Sequence, residues 1–139
     1  MRLATARGVA TLVAREDVVA FKRCKFQACV VAIESEADVD AALVLVLSSK
    51  RVAKATHPAM YAWRCPRGRS GFSDGGESGA GRILLAQAER MAPRTNGLLV
   101  AVTRWYGGRS LGSARFRVIG NVARDGVLAA TKPRDAGAC

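Results

Sequence analysis

The chain has 139 residues, half of them hydrophobic, and its 22 lysines and arginines against 11 aspartates and glutamates give a net charge of +11. This length suits one domain that buries about two thirds of its unfolded surface, which excludes a wholly disordered chain. The longest apolar run, 41–47, is far shorter than the ~20 residues that cross a bilayer, so no membrane span is predicted.

The four cysteines lack the paired spacing of a zinc site, so we expect reduced thiols and neither a metal nor a cofactor; they are Cys24, Cys29, Cys65 and Cys139. Residues 1–17 carry three arginines and no acidic residue before Glu16. This pattern is typical of a mitochondrial transit segment, although a plain basic N-terminal arm is the interpretation we favour. Both interpretations stay open, and with them a location in the cytoplasm or the mitochondrial matrix.

Patterning then predicts a mixed set of strands and helices. A hairpin is expected at 18–21 and 26–34, which are rich in Val, Phe and Ile. Ser35 and Asp38 approximate a capping box, and apolar spacing predicts a first helix over 38–52. The later elements, in chain order, are a strand at 59–64, an exposed loop at 65–71, a helix at 83–91, a buried strand at 98–103, a helix from 113 to about 130 and a flexible tail at 131–139. Strands alternating with helices predict an α/β two-layer domain with one sheet, helices on one face and at least one crossover.

The first candidate site is the glycine-rich segment 73–82, which opens a helix. Backbone amides there could hold a phosphate or carboxylate, although Arg82 stands where a Walker loop requires lysine. The interpretation we favour is that Asp74 and Glu77 cap these amides internally. His57, the single histidine, is expected to be structural, and because no nucleophile or ligand set accompanies these groups, we predict no catalytic activity.

The second candidate site is the segment 103–112, which combines two aromatic residues, two arginines and three glycines. Aromatic rings interleaved with arginine can stack on bases and bind phosphates. The alternative, that Trp105 and Tyr106 fill the core while the glycines form the turn, stays open. The excess of arginine over 82–124 also suits phosphate binding.

Four segments, in this order, resemble the Impact domain of translation regulators and their bacterial homologues. They are Lys25-Phe26-Gln27-Ala28; Ala55-Thr56-His57 with Tyr61-Ala62-Trp63-Arg64; Asp74-Gly75-Gly76-Glu77 with Gly81-Arg82; and Arg104-Trp105-Tyr106-Gly107-Gly108 with Leu111-Gly112 and Arg115-Phe116. The resemblance assigns an Impact domain to 18–130. It implies a fold like the second domain of ribosomal protein S-five and a role around translation.

Two departures from the family pattern bear on function. Gly75 stands where the family has a second aspartate, which weakens any role for paired acids, and Arg109-Ser110 replaces an apolar pair, which favours an anionic partner. The additional domains of the family are not expected within this length. The contact that eukaryotic regulators make with the Gcn-one scaffold is therefore not carried over.

We therefore expect a non-enzymatic domain that binds RNA or a ribosomal particle, including a mitochondrial ribosome component or assembly factor. The alternative is a protein-binding regulator of translation in the amino-acid stress (Gcn-type kinase) pathway. The residues expected to bind nucleic acid are Arg104, Trp105, Tyr106, Arg109, Arg115, Arg117, Lys54 and Arg64. The family-motif residues are Thr56, His57, Asp74, Gly76, Glu77, Gly81, Arg82, Gly107, Gly108 and Gly112.

Overall fold

A computed structural model describes residues 1–6, 8–66, 68–91 and 96–131, which form a seven-stranded sheet and four α-helices. The strands are β1 (Arg2–Ala4), β2 (Val9–Arg15), β3 (Val19–Phe21), β4 (Cys24–Ala32), β5 (His57–Arg64), β6 (Ser70–Ser73) and β7 (Leu98–Trp105). The helices are α1 (Val39–Val46), α2 (Lys50–Ala53), α3 (Ala80–Met91) and α4 (Ala114–Thr131), with a 3₁₀ turn at Glu36–Asp38. The predicted tail beyond Thr131 lies outside the described residues. No helix in the described ranges is long and apolar enough to span a membrane.

The sheet is antiparallel, in the order β1-β2-β4-β7-β5-β6, and β3 pairs with the start of β4. β4 and β5 both pair with β7, one on each side. They are therefore not neighbours in the sheet, and the connection between them, through α1 and α2, is a crossover. A second crossover through α3 connects β6 to β7. The prediction of a crossover is confirmed, and so is the hairpin of β3 and β4, whose turn residues Lys22 and Arg23 both have positive φ.

The mixed α/β class is confirmed, but the helices cover both faces of the sheet rather than one. Phe26 and Val30 of β4 join the core under α3 and α4, whereas Cys29 and Val31 join a second core under α1. Side chains alternate between faces along a strand, so a strand that is apolar at every position needs cover on both sides. The sequence prediction missed this because it treated β4 and β7 as buried without asking what covered each face.

Residues 1–17 were predicted as a basic arm or transit segment, and within them Arg2–Ala4 and Val9–Arg15 form β1 and β2 of the same sheet. β2 pairs with β4 from Thr11 opposite Ala32 to Arg15 opposite Cys29, and Ala10 is fully buried on the α1 face. The arginines hid this strand from the sequence analysis. β2 accommodates Arg15 because Nη2 of this side chain donates to the carbonyl oxygens of Leu45 (3.0 Å) and Val46 (3.1 Å), at the end of α1.

The helix predicted over 38–52 is divided into α1 and α2 by two serines. Ser48 Oγ donates to the Leu45 carbonyl oxygen at 2.6 Å, and Ser49 Oγ accepts from the Val52 amide at 3.4 Å as the N-cap of α2. Serine side chains that bond to nearby backbone offer an alternative to a continuous helix. The short edge strand β6 was likewise predicted as part of a loop.

Candidate functional site

The segments singled out in the sequence meet at one end of the sheet. β4 and β5 begin there and β7 ends there, so that Arg104 of β7 lies opposite Phe26 on one side and His57 on the other. The turn before α3 supplies Glu77, and the first turn of α4 supplies Arg115. Residues far apart in the chain thus converge on one place.

A buried carboxylate, that of Glu77, lies at the centre of this group. Its Oε1 accepts a hydrogen bond from Nη1 of Arg104 and forms an ion pair with Nε of Arg115 at 2.8 Å. Its Oε2 lies 3.0 Å from Nε2 of His57. Glu77 and Arg104 are only 6% and 5% exposed. Burial of these charges is tolerated because each has charged partners that also form hydrogen bonds.

Asp74 builds the turn that presents Glu77. Its Oδ1 accepts from the Gly81 amide at 2.8 Å and its Oδ2 from the Gly79 amide at 3.2 Å, so it caps the start of α3. The predicted internal capping is therefore confirmed for Asp74, whereas Glu77 points to the arginines instead. Gly76, between them, has φ +91°, and a Cβ there would lie 2.9 Å from Nδ1 of His57. Only glycine fits this position without strain.

Aromatic rings support both arginines. The guanidinium carbon of Arg104 lies 5.7 Å from the centre of the Phe26 ring and 5.9 Å from that of Tyr106, and Arg115 lies 4.3 Å from the Phe116 ring. Arg115 Nη1 also donates to the Gly112 carbonyl oxygen at 2.6 Å. These contacts fix the positions of the two guanidinium groups.

Tyr106 and Trp105 have different environments, and the interpretation in which both rings fill the core holds only for Trp105. Tyr106 is 51% exposed, and its amide donates to Oγ1 of Thr56 at 2.9 Å, which gives that threonine a structural role. Trp105 packs at the edge of the α1-side core, and its Nε1 donates to the Arg51 carbonyl oxygen at 3.2 Å. Of the two rings, Tyr106 is therefore the one available to a ligand.

An open cleft of about 330 Å³ lies in front of Glu77. It is lined by His57, Gly76, Glu77, Ser78, Arg104, Tyr106, Ser110, Leu111, Gly112 and Arg115. Two permanently charged guanidinium groups face one carboxylate, which leaves at least one positive charge in the cleft. Within the described ranges no cluster of His, Cys, Asp and Glu has the arrangement of a metal site. The cleft is thus suited to an anion.

The structure brings together only part of the predicted nucleic-acid-binding set. Arg104, Tyr106 and Arg115 line the cleft, and Lys54, Arg109 and Arg117 are exposed around the same end. Arg64 lies at the opposite end of β5, where it is 7% exposed and donates to the carbonyl oxygens of Glu89 (3.5 Å) and Asn96 (3.2 Å). Arg64 therefore closes off the end of α3 and does not join the other residues expected to bind nucleic acid.

The remaining motif residues shape the turns and helix start around the cleft. Arg82 lies over the Phe72 ring at 5.7 Å, and Gly81, the second residue of α3, is buried against the same ring. A Cβ at Gly107 would lie 1.9 Å from the Arg23 carbonyl oxygen, so the loop after β7 can approach the β3–β4 turn only with glycine there. Gly108 and Gly112 have positive φ.

The thiols have no role at this end of the sheet. Burial raises the pKa of the Cys29 and Cys65 thiols above the ordinary value, so they are protonated and poorly nucleophilic at neutral pH. Cys24 is fully buried beside Arg104. The expected state of these cysteines as free thiols agrees with the structure.

The pairing of Glu77 with Arg104 and Arg115 was not foreseen from the sequence. Glu77 is 27 residues from Arg104, and no local spacing rule connects them. The one available signal was the density of glycines on both segments, which indicates close backbone approach. The two segments were considered separately and their contact was missed.

The sequence is similar to known proteins over most of its length. The sequence profile described as the Impact N-terminal domain matches residues 22–127. The chain is 32% identical to the IMPACT family member YDL177C of Saccharomyces cerevisiae, over 77% of this chain and 85% of that protein. It is 33% and 37% identical to the IMPACT homologs of Caenorhabditis elegans and Dictyostelium discoideum, over 78% and 75% of this chain. It spans only 44% and 30% of the length of those two proteins.

Two solved structures share the fold. A protein described as hypothetical matches 87% of this chain and 58% of its own length, with a TM-score of 0.66 and 24% identity. The two-domain translational regulator Yih1 matches 86% of this chain and 46% of its own length, with a TM-score of 0.55 and 28% identity. Because the profile match covers most of the sequence and the motifs meet at one site, the chain belongs to the Impact family.

Proposed function

We propose that this chain is a non-enzymatic, translation-associated domain that binds RNA or a ribosomal particle through the cleft end of its sheet. The observation that carries this proposal is the uneven distribution of exposed charge. The exposed basic residues at the cleft end, hereafter the basic end, are Lys22, Arg23, Lys25, Lys54, Arg109 and Arg117. The opposite end is mixed in sign, because exposed Glu34, Glu36 and Glu89 are accompanied there by Arg69 and Arg90.

This distribution supports contact with a phosphate backbone. Arginine and lysine that neutralise phosphates release counterions, which supplies most of the affinity for nucleic acid at low salt. The exposed ring of Tyr106 adds a surface on which a base can stack. The description of the related Yih1 as a translational regulator supports the link to translation.

The site's own contacts support a binding rather than a catalytic role. Both oxygens of Glu77 are engaged by basic side chains, so neither is oriented to take a proton from a substrate. Asp74 is equally engaged by backbone amides. These acids hold the site together.

A matched pair of charge-reversal variants tests the proposal. The first is Lys25→Glu with Arg109→Glu, both exposed at the basic end; the second is Arg2→Glu with Arg90→Glu, both exposed elsewhere. The two have equal net charge. We expect RNA affinity, measured by fluorescence anisotropy, to fall at least about tenfold in the first and little in the second.

Salt dependence gives the second readout. Affinity of the unmodified chain should fall steeply with salt, and the Lys25 and Arg109 reversals should reduce that slope by about two, one unit for each phosphate that the variant no longer neutralises. An affinity that does not change with salt, or equal reductions in both variants, would contradict the proposal. Arg104 is not a suitable target because its reversal would place a second carboxylate against buried Glu77.

The alternative is a regulator that binds a protein of the amino-acid stress kinase pathway. Sedimentation of the tagged protein through sucrose gradients, with and without ribonuclease, separates the two. Migration with cytosolic or mitochondrial ribosomal particles that ribonuclease abolishes supports RNA or particle binding and identifies the compartment. Nuclease-insensitive association with one soluble protein would support the alternative.

A further inference from the structure

The cleft in front of Glu77 contains more hydrogen-bond donors than the protein uses. The guanidinium groups of Arg104 and Arg115 carry five N–H donors each, whereas a carboxylate offers about four acceptor positions. Their other partners are the Gly112 carbonyl oxygen at 2.6 Å and, weakly, Cys24 Sγ at 3.7 Å. Nε of Arg104 is buried and has no hydrogen-bond partner within the described ranges.

The rim of the cleft is built for close approach by a ligand. Ser78 and Ser110 bring hydroxyl groups to it, and a Cβ added at Gly112 would meet open space. The Tyr106 ring is half exposed beside the guanidinium of Arg104. A volume of about 330 Å³ is at the lower end of the range for small-molecule sites.

We propose that this cleft binds the terminal phosphate monoester of a nucleotide, with the terminal base stacked on Tyr106. A phosphate monoester carries close to two negative charges and three acceptor oxygens at neutral pH, whereas an internal diester carries one charge. The monoester therefore matches the surplus of donors better than a diester does. Where the phosphate belongs to the terminus of an RNA strand, the inference rests on the proposed function, because the basic end then binds the rest of that strand.

The test compares forms of one short single-stranded RNA that is labelled internally. The forms have a phosphate at the 5′ end, at the 3′ end or at neither end, and binding is followed by anisotropy at fixed salt. We expect one phosphorylated form to bind about tenfold more tightly than the unphosphorylated RNA, as for a new charge-assisted contact. Free nucleoside monophosphate should compete for the site, and the nucleoside should not.

Variants link the preference to the cleft. Arg115→Gln should remove the preference for a terminal phosphate, whereas Arg117→Gln, an equal loss of charge on the exposed side of the same helix, should keep it. Tyr106→Leu, which removes an exposed ring, should weaken the binding of both the phosphorylated RNA and the monophosphate severalfold. Thermal unfolding of each variant shows whether it is folded, and Tyr106→Leu provides the test if Arg115→Gln is not.

The outcomes separate this inference from the proposed function. Equal affinity for the three RNA forms, with steep salt dependence, overturns the terminal-phosphate site and leaves RNA binding intact. Binding of the monophosphate without binding of RNA supports the cleft with a free nucleotide as its ligand and overturns the proposed function. If both Arg115→Gln and Tyr106→Leu still bind one phosphorylated RNA more tightly than the unphosphorylated RNA, the phosphate binds outside the cleft. That result overturns the inference.

Discussion

Glu77 is 6% exposed, yet its carboxylate contacts Arg104, Arg115 and His57. The sequence identified all four residues because glycines and family motifs surround them. It did not identify their contacts, which depend on how three separate segments approach each other. The same limit applies to Arg64, which was expected on an exposed face and instead bonds to the carbonyls of Glu89 and Asn96.

Glu77→Gln should destabilise the domain strongly. The change removes the one negative charge that faces two buried or half-buried guanidinium groups, and breaking a buried pair in this way costs about 3 kcal/mol or more. Urea unfolding measures the loss. Glu36→Gln is the control, since Glu36 and its partner Arg69 are both exposed and should contribute less than about 1 kcal/mol. Similar effects of the two changes would contradict a central role for Glu77.

Asp38 gives the fold a defined sensitivity to acid. Burial alone would raise its pKa, but hydrogen bonds from the amides of Glu34, Val9 and Ser35 outweigh this and hold the pKa below the ordinary value of 3.8. The unfolded chain therefore takes up the proton first as the pH falls. The stabilisation is complete above the unfolded-state pKa of about 3.9 and is lost as the pH falls through the lower folded-state pKa.

Asp38→Asn tests this linkage. An amide group in place of Oδ2 would present donors to the Glu34 and Ser35 amides, so the variant should be less stable at pH 7. Its stability should also fall less than that of the unmodified chain between about pH 5 and pH 3. Urea unfolding across this pH range makes the comparison, and an unchanged pH profile would show that Asp38 is not the group responsible.

At the scale of elements, the hydrophobic pattern predicted the central strands well and the edges poorly. β4 and β7 are apolar over long stretches and were recognised, whereas β2 carries Arg15 and β6 has only four residues, Ser70–Ser73. β6 is an edge strand and β2 lies next to the edge strand β1. Both bury few residues, so they need fewer apolar side chains and leave a weaker pattern. The break between α1 and α2 was missed because apolar spacing continues through the two serines.

Arg15 connects β2 to the end of α1. Its guanidinium donates to the carbonyls of Leu45 and Val46, which places a cation at the negative end of that helix. Arg15→Met keeps the length of the side chain but removes a charged donor from both carbonyls, of which Leu45 keeps its hydrogen bond from Ser48, so we expect a loss of about 1–3 kcal/mol in urea unfolding. Arg2→Met, at an exposed position of β1, should have little effect, and an equal effect would contradict the capping role.

For the whole molecule, composition predicted the excess of positive charge but not where it lies. The basic end combines the β3–β4 turn, the C-cap of α2, the loop after β7 and the first turn of α4, which are distant in the sequence. Their proximity follows from the strand order, in which β7 lies between β4 and β5. The topology of the sheet therefore determines where this surface forms. Local sequence patterns do not predict that topology.

Crowding of positive charge at one end should make thermal stability dependent on salt. Raising the salt concentration from about 10 mM to about 150 mM shortens the screening length from about 30 Å to about 8 Å and should raise the midpoint of thermal unfolding by a few degrees. The Lys25→Glu, Arg109→Glu variant should respond less than the Arg2→Glu, Arg90→Glu variant of equal net charge. Equal responses would show that the position of the charges does not matter.

The place of β7 at the centre of the sheet also governs how the protein is made. Eight residue pairs join β4 to β7, from Lys25 opposite Trp105 to Ala32 opposite Leu98. Ribosomes add about 5–20 residues per second, so the 73 residues from Ala32 to Trp105 take about 4–15 s to synthesise. During that time one edge of β4, with Val30 and Val31, has no strand beside it. The sheet can be completed only after β7 has been synthesised, and until then the unpaired apolar edge of β4 must be protected from pairing with other chains.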